Sequence, residues 1–323
     1  MYKRSEIDVV IPVFNEASGI DIFHTRITDV LRFTDNRIRF LYVNDGSTDE
    51  TQAKLLEIQK KDERLVVIEL SRNFGHQAAL SCGIDASDAD WVITMDGDGE
   101  HPPELLPEMI QYSKNGFDMI LAQRKEAQKG TKFKNITSSL FYWMMAHLAE
   151  SPIKQGVGDY RMINRLVIDA IKKIPDYHCF LRGTFEWIGF KKYYIPYSPG
   201  VRIAGETKYS LKKMIDLALN ASFFFSQGPL QFIFISSGFF FLLCLLTGFV
   251  LLTQHSLQGS GFGGFETVLL AAVIFLCTSS VLFSLGILGI IMRYTLQGVS
   301  KRPPYIIKRV DGLDNYIEEK LPK

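Results

Sequence analysis

The amino-acid sequence predicts an α/β fold with a mostly parallel sheet, followed by a hairpin of two membrane-spanning helices. Short apolar runs alternate with helical patterns over the first 125 residues, which is typical of βαβ units with right-handed crossovers. Two long uncharged apolar segments follow residue 228. The 323 residues include 36 Lys and Arg against 35 Asp and Glu, and this balance argues against nucleic acid as a partner.

The sheet is assigned to short apolar runs bounded by turn-forming residues. The predicted strands are Ile7–Val13, Ile38–Val43, Leu65–Leu70, Trp91–Met95 and Met119–Ala122. Helical patterns lie between and after them, near residues 17–33, 50–61, 76–86 and 103–114. Ligands of such sheets bind beyond the carboxyl ends of the strands, so the polar residues at these ends are the candidate functional residues.

Polar, acidic loops follow three of the predicted strands. They are residues 12–16 (PVFNE), 44–49 (NDGSTD) and 96–100 (DGDGE). Each loop alone is compatible with an ordinary turn or a helix cap. The third does not fit a calcium-binding EF-hand, because the glutamate of the last loop position is missing. Since all three leave the same edge of one predicted sheet, we interpret them as one binding site.

Asp96 and Asp98 are predicted to bind a divalent cation, Mg²⁺ or Mn²⁺. They are one residue apart after a strand, so their side chains point to the same side. Such hard cations prefer carboxylates, waters and phosphate oxygens, which implies a phosphate-containing ligand. The phosphate loops GxxxxGK[ST] and GxGxxG do not follow the first strand. This disfavours kinases, NTPases and dehydrogenases and leaves a nucleoside diphosphate held through the metal.

Two segments, about Pro229–Leu252 and Thr267–Met292, are long enough to span a bilayer. About 24 helical residues cover ~36 Å, more than a ~30 Å hydrocarbon core. Lys and Arg flank the pair on its outer sides and are absent from the connecting loop, so both termini are predicted to face the cytoplasm. The alternative, two buried helices of a large soluble protein, is disfavoured because such helices rarely lack a polar stripe.

Residues 132–149 and 210–226 each combine lysines with an apolar face, as helices at a membrane surface do. For the first, packing on the soluble domain is an equal alternative. The sequence therefore predicts a cytosolic domain (1–209), a juxtamembrane amphipathic helix (210–228), two transmembrane helices with a short external loop (229–292) and a cytosolic C-terminal tail (293–323).

Several motifs occur in order along essentially the whole chain. They are VVIPVFNE (9–16), VNDGSTDET (43–51), LSRNFGHQAAL (70–80), MDGDGEHPPE (95–104), GVGDYRMINR (156–165), RIAGETKYS (202–210) and KRPPYIIK (301–308). In this order they resemble family-two glycosyltransferases, and within them the membrane-anchored polyprenyl-phosphate glycosyltransferases, such as dolichol-phosphate mannose synthase and bactoprenol glucosyltransferases. The resemblance implies a GT-A fold, with a Rossmann-like, mostly parallel sheet, and the inverting transfer of a hexose from a nucleotide-sugar to a polyprenyl phosphate.

The resemblance also implies roles for individual residues on the donor side. The base and ribose of the donor are assigned to Pro12, Asn15, Glu16 and Asp45. Asp96 and Asp98 take the metal and, through it, the diphosphate. Glu100 stands where the family's Asp-x-Asp-Leu-Gln pattern has glutamine, which makes it a candidate third metal ligand.

The remaining assignments concern catalysis and the acceptor phosphate. Asp159 matches the family's proposed catalytic aspartate and, with Asp98, is assigned to catalysis. Whether Asp159 acts as a base or as a positioning group stays open. The acceptor phosphate and the diphosphate are assigned to Arg124, Arg202, Lys208 and Arg161. For Arg161, holding Asp159 in place is at least as good an alternative.

The residues leave the sugar open. Similarity to the bactoprenol enzymes favours UDP-glucose as donor and undecaprenyl phosphate as acceptor, for cell-envelope glycan modification at a bacterial inner (plasma) membrane. UDP-GlcNAc, GDP-mannose and modified sugars remain alternatives, as does a non-catalytic nucleotide-sugar-binding membrane scaffold. A processive polysaccharide synthase is disfavoured because Gln-x-x-Arg-Trp is absent. Family likeness also implies a homo-oligomer, for which a tetramer is one arrangement.

Overall fold

The computed structural model describes residues 6–125, 154, 156–174, 181–200, 228–258, 264–299 and 303–312. The chain divides into two compact units. The α/β unit comprises the described residues up to 200 together with residues 303–312, and the helical unit comprises the described residues 228–299. The two amphipathic segments predicted at residues 132–149 and 210–226 lie outside the described residues.

Within the described residues, the strands of the α/β unit form one mixed sheet. In chain order they are β1 (Ile7–Val13), β2 (Ile38–Asn44), β3 (Leu65–Leu70), β4 (Trp91–Thr94), β5 (Met119–Arg124), β6 (Val157–Asn164), β7 (Lys192–Tyr197) and β8 (Ile307–Asp311). Their order across the sheet is β7-β5-β6-β4-β1-β2-β3-β8. β1 is buried along its whole length, as expected for a central strand covered on both faces.

Helices cover both faces of this sheet. They are α1 (Ile20–Leu31), α2 (Thr51–Gln59), α3 (His76–Ala86), α4 (Leu106–Ser113), α5 (Arg165–Ile171) and α6 (Leu181–Trp187), with a short 3-10 turn at Pro103–Leu105. Apolar residues of α1, α2 and α4 share one core cluster with the sheet. Those of α3, α5 and α6 share a second cluster on the other face. The helices therefore sandwich the sheet, and its strand ends are left to carry the loops of the site.

The five strands and four helices predicted for the first 125 residues are confirmed to within a few residues. The parallel pairing is confirmed for β1, β2, β3 and β4. The mostly parallel sheet is confirmed, and the structure adds a strand that was not predicted: β6 lies between β4 and β5 and is antiparallel to both. β6 was missed because its sequence, VGDYRMIN, is not a continuous apolar run, which is the pattern that marks buried parallel strands.

The predicted C-terminal tail contributes a strand to the sheet. β8 pairs antiparallel with β3, and the backbone N–H of Ser71 donates to the carbonyl of Ile306 at 2.8 Å. The Tyr305 side chain is buried in the second core cluster, and its hydroxyl donates to Asp85 Oδ2 at 2.8 Å. β8 thus covers the edge of β3, which otherwise presents unpaired backbone groups to solvent.

The helical unit consists of α7 (Gly228–Gln258) and α8 (Gly264–Val299). Each contains a stretch long and apolar enough to cross a membrane, Ile233–Val250 in α7 and Leu269–Met292 in α8, with no part of either stretch buried in the protein. The two helices pack on each other, with the Sγ atoms of Cys244 and Cys277 3.1 Å apart. The unit therefore associates with a membrane through the two segments that hydropathy predicted, because apolar surface this extensive is unfavourable in water.

Candidate active site

The loops after β1 and β2 are joined by hydrogen bonds at the carboxyl edge of the sheet. The backbone N–H of Asn15 donates to Ser47 Oγ at 2.9 Å, and the Asn15 side-chain oxygen accepts the N–H of Thr48 at 2.8 Å. Asn15 has φ +55°, a left-handed conformation that asparagine adopts more easily than most residues. Its side chain therefore fixes the shape of the predicted nucleotide-binding edge. Pro12 is buried inside β1, and Glu16 is half-buried in the same loop.

Asp45 fixes the next loop, between β3 and α3. It is buried, and its two carboxylate oxygens accept the backbone N–H groups of Phe74 at 2.7 Å and Gly75 at 2.9 Å. Burial raises the pKa of Asp45, while these two hydrogen bonds act in the opposite direction. Asp45 thus determines where α3 begins, a role that sequence reasoning missed. Its predicted contact with the nucleotide stays a prediction.

The acidic loop after β4 contains an unsatisfied carboxylate oxygen. Asp96 Oδ1 is buried and has no hydrogen-bond partner among the described residues. Asp98 Oδ1, two residues on, accepts the backbone N–H of Glu100 at 2.9 Å. Asp96 Oδ1 has a charged neighbour, His76 Nε2 at 3.3 Å, but it accepts no hydrogen bond among the described residues. A buried carboxylate oxygen in that state can take a bound cation as a further partner. The two aspartates therefore fit a divalent cation of the kind that carboxylate oxygens prefer.

The predicted third metal ligand takes a different partner. Glu100 Oε2 lies 3.6 Å from Arg124 Nη1, at the end of β5. Within the part of the chain that the structure describes, no three His, Cys, Asp or Glu side chains are grouped to hold a metal ion. The Arg124 guanidinium balances the charge of Glu100, and Glu100 as a third metal ligand stays a prediction.

Asp159, on β6, is buried among cationic and amide groups. Arg182 donates to both of its oxygens, with the shortest contact 2.7 Å from Nη2 to Oδ2. Arg161 Nη2 lies 3.0 Å from Oδ1, and Gln77 Nε2 lies 3.2 Å from Oδ2. Burial alone acts to raise the pKa of Asp159, but Arg182, His76 and Arg161 hold it well below its usual range. A carboxylate held in this way is a very weak base.

Arg161 does not face the cleft. Its side chain is 2% exposed, its guanidinium lies 4.4 Å from the centre of the Phe185 ring, and Nη2 also donates to the carbonyl of Gly158. Burial lowers the pKa of Arg161 to about 10, so it stays charged at neutral pH. The assignment of Arg161 to the acceptor phosphate is therefore corrected in favour of the alternative, that it holds Asp159 in place.

His76, the first residue of α3, connects the two acidic groups. Its Nε2 lies 3.3 Å from Asp96 Oδ1 and 3.5 Å from Asp159 Oδ2, yet its side chain remains 41% exposed. Burial acts to lower the pKa of His76, but Asp96 and Asp159 raise it to about 9. The ring is therefore a partly exposed cation between two carboxylates.

Sequence reasoning missed His76, Gln77 and Arg182 as site residues. The first two lie inside a motif that the sequence did single out, LSRNFGHQAAL, whereas Arg182 lies in none of the motifs. Arg124 is 49% exposed beside the acidic loop, where a phosphate can reach it. Arg202 and Lys208 lie outside the described residues.

Residues 8–171 match the family model described as "Glycosyl transferase family 2". This range holds the three strand-end loops and Asp159, and it covers half of the chain. The chain belongs to glycosyltransferase family 2.

Relatives match this family 2 glycosyltransferase over nearly its whole length. An uncharacterized glycosyltransferase of Bacillus subtilis (strain 168) is 32% identical over 98% of this chain and 97% of its own. A prophage bactoprenol glucosyl transferase homolog of Escherichia coli (strain K12) is 31% identical over 94% of this chain and 99% of its own. Glucosyl-3-phosphoglycerate synthase from Mycobacterium tuberculosis, solved with Mn²⁺ and UDP-glucose, is 16% identical with a TM-score of 0.48, over 67% of this chain and 76% of that chain.

The cleft of this glycosyltransferase holds opposite charges side by side. Asp96 lies 3.3 Å from the partly exposed His76, and Glu100 lies 3.6 Å from the partly exposed Arg124. Such an arrangement suits a ligand that brings both a cation and phosphate groups. The lowered pKa of the buried Asp159 makes its carboxylate a weak base, and its role in catalysis stays a prediction.

Proposed function

We propose that this glycosyltransferase moves a hexose from a nucleotide-sugar to a polyprenyl phosphate, with UDP-glucose and undecaprenyl phosphate as donor and acceptor. The support for this acceptor is twofold. Relatives that match nearly the whole chain are named bactoprenol glucosyl transferases, and the helical unit can place the protein in the membrane where such a lipid resides. The product is a polyprenyl-phosphate-linked hexose for modifying cell-envelope glycans.

The observation that carries the proposal is Asp96 Oδ1, which is buried and accepts no hydrogen bond among the described residues, with His76 Nε2 as its charged neighbour at 3.3 Å. A buried carboxylate oxygen that accepts no hydrogen bond is a place where a cation can bind. Asp96 and Asp98 would hold Mg²⁺ or Mn²⁺, whose chemistry in such a site is to neutralise the negative charge of a departing diphosphate. The loops fixed by Asn15, Glu16 and Asp45 are the proposed edge for the base and ribose.

The cationic side chains of the site then stabilise negative charge on the phosphate groups. In the transfer, an oxygen of the acceptor phosphate forms a bond to the anomeric carbon as the bond from that carbon to the diphosphate breaks. His76 and Arg124, both partly exposed, are placed to donate hydrogen bonds to phosphate oxygens, and Arg202 and Lys208 are proposed to join them. Donors fixed in advance in this way favour a transition state with charge on the leaving group.

Asp159 acts as a positioning residue in this proposal. A phosphate nucleophile is already an anion near pH 7, so its attack does not require a strong base. Asp159 instead accepts bidentate hydrogen bonds from Arg182 and lies 3.5 Å from His76. It thereby keeps two cations at the floor of the cleft.

The experiment is transfer of labelled glucose from UDP-glucose to undecaprenyl phosphate by the purified full chain in detergent, with Mn²⁺ or Mg²⁺. We expect a chloroform-extractable product that mild acid releases, and at least a hundredfold loss of rate in Asp98→Asn, the size typical of removing one electrostatic stabiliser. UDP-GlcNAc and GDP-mannose in parallel reactions test the choice of donor.

The matched control is Asp169→Asn, which removes a carboxylate of α5 whose side chain is 57% exposed and should leave the rate unchanged. Formation of labelled product without any divalent cation would contradict the proposed metal site. Absence of labelled polyprenyl phosphate with all three donors would contradict the proposed acceptor.

A further inference from the structure

His101 lies five residues after Asp96, where the acidic loop turns back toward the sheet. Its Nδ1 accepts the backbone N–H of Asp96 at 2.9 Å. Because Nδ1 is the acceptor, the neutral ring carries its proton on Nε2. The same nitrogen lies 3.6 Å from Asp96 Oδ2. The imidazole therefore closes the loop at the residue whose other oxygen, Oδ1, is buried and accepts no hydrogen bond among the described residues.

Aromatic rings hold His101 in this position. The ring stacks on Tyr160 of β6, with centroids 4.9 Å apart and planes 21° apart, and meets Tyr197 of β7 edge-on at 6.1 Å. The three side chains are each less than a tenth exposed. The Tyr160 hydroxyl donates to the carbonyl of Pro102 at 2.8 Å, so the residue after His101 is fixed to the same strand.

The cluster of His101, Tyr160 and Tyr197 thus anchors the acidic loop to two strands. Tyr160 is the neighbour of Asp159, and the strand that carries it pairs with β4, which leads into Asp96. His101 itself is 7% exposed and is packed away from the cleft, so it acts through Asp96. Packed aromatic rings leave it little freedom, and the direction of the Asp96 backbone is fixed with it.

We propose that His101 is a positioning residue: its Nδ1 fixes the backbone of Asp96 and thereby directs the Asp96 carboxylate toward the cation. This inference rests on the proposed function for the cation, whereas the anchoring of Asp96 is independent of it. A ring that only filled space would contribute its apolar surface, and its hydrogen-bond acceptor would not matter.

Two variants of nearly equal shape separate these roles. In His101→Asn the side-chain oxygen stands close to the place of Nδ1 and can accept the same N–H, whereas His101→Leu has no acceptor. Both lose the stacking on Tyr160 to the same degree. His101→Phe is the complement, since it keeps the stacking and loses the acceptor.

The first measurement is hydrogen–deuterium exchange of the full chain in detergent, followed on peptides that contain Asp96. We expect the Asp96 amide to exchange about tenfold faster or more in His101→Leu than in His101→Asn, because a lost hydrogen bond of ordinary strength corresponds to that factor. Equal exchange in the two variants would overturn the assignment, whatever the enzyme does with metals.

The second measurement is binding of Mn²⁺ in the presence of UDP, from the electron paramagnetic resonance signal of free Mn²⁺, with GDP as a second arm. We expect about tenfold weaker binding in His101→Leu and His101→Phe, with His101→Asn within about threefold of the unsubstituted protein. Unchanged Mn²⁺ affinity in His101→Leu would overturn the directing role.

The two measurements fail in different ways. If the unsubstituted protein binds no Mn²⁺ with either nucleotide, the proposed function fails, while the exchange result still decides whether His101 anchors Asp96. If His101→Leu does not fold, His101→Phe takes its place against His101→Asn, because it keeps the packing of the cluster. Thermal unfolding of each variant verifies that the comparison is between folded proteins.

Discussion

The carboxylates of Asp159 and Asp8 are both buried and both accept hydrogen bonds from arginines. They lie at opposite ends of the strands. Arg39 donates to both oxygens of Asp8, at 2.9 and 2.6 Å, and to Asp88 at 2.7 Å. Asp8 lies near the amino end of β1, away from the edge where ligands of parallel sheets bind. The ion pair of Asp8 with Arg39 therefore stabilises the fold, whereas that of Asp159 positions Arg182 in the candidate active site.

Replacing Asp159 by asparagine should destabilise the fold as well as impair transfer. The change leaves the buried Arg161 and the half-exposed Arg182 without their counter-charge. Breaking a buried ion pair by removing one partner costs about 3–5 kcal/mol. We expect Asp159→Asn to unfold at clearly lower denaturant concentration than the unsubstituted protein in detergent.

The control for this prediction is again Asp169→Asn, which removes an exposed carboxylate and should change stability by no more than about 0.5 kcal/mol. If Asp159→Asn is as stable as the control but loses the acidic limb of its pH–rate profile, Asp159 is a general base and the positioning role is wrong.

At the scale of elements, β8 is the part of the structure with the weakest sequence signal. Its five residues, IKRVD, are mostly polar or charged, and they follow two apolar helices, so they were included in a tail. The segment forms a strand because it pairs with the edge of β3 and because Tyr305 is buried in the core. The strand exists because an exposed edge offers backbone partners to any segment that reaches it.

Tyr305→Ala should therefore destabilise the α/β unit. The ring is 2% exposed, and truncating a buried aromatic side chain costs about 3–5 kcal/mol. Tyr305→Phe, which loses only the hydrogen bond to Asp85, should cost about 1 kcal/mol. Thermal unfolding of the full chain in detergent measures both.

The neighbouring residue provides the control. Ile306 is 53% exposed, and Ile306→Ala should change stability by no more than about 0.5 kcal/mol. A Tyr305→Ala protein as stable as Ile306→Ala would show that the segment before β8 does not contribute to the core.

At the scale of the whole molecule, the position of β8 constrains how the chain crosses the membrane. The chain leaves the α/β unit before α7 and rejoins the same sheet after α8. Since β3 and β8 are hydrogen-bonded neighbours, they lie on one side of any membrane that α7 and α8 cross. The distribution of Lys and Arg around the two segments predicts that this side is the cytoplasm.

We expect a cysteine placed in the connecting loop, in Ser260→Cys, to react with a membrane-impermeant maleimide added to intact cells. A cysteine in the C-terminal tail, in Lys320→Cys, should react only after the membrane is opened, because both termini are then inside. The unsubstituted protein, with its four native cysteines, gives the background labelling. Labelling of the tail in intact cells would reverse the orientation.

The sequence by itself determined the features that local patterns encode. Apolar runs and helical periodicity gave five strands and four helices, since each is set by residues close together in the chain. Two long uncharged stretches gave α7 and α8 for the same reason. The order of strand-end motifs also placed Asn15, Asp45 and Asp96 at one edge, because parallel strands bring their carboxyl ends together.

Only the tertiary structure decided which of those residues contact one another. Arg182 joins Asp159 from α6, and His101 is held by Tyr160 and Tyr197 from two strands that the apolar pattern did not reveal. Glu100 faces Arg124, and Asp96 Oδ1 faces His76. Such contacts depend on distance and burial in three dimensions, which the spacing of residues along a chain does not determine. Desolvation and neighbouring charges then set the pKa of each carboxylate and the partners it binds.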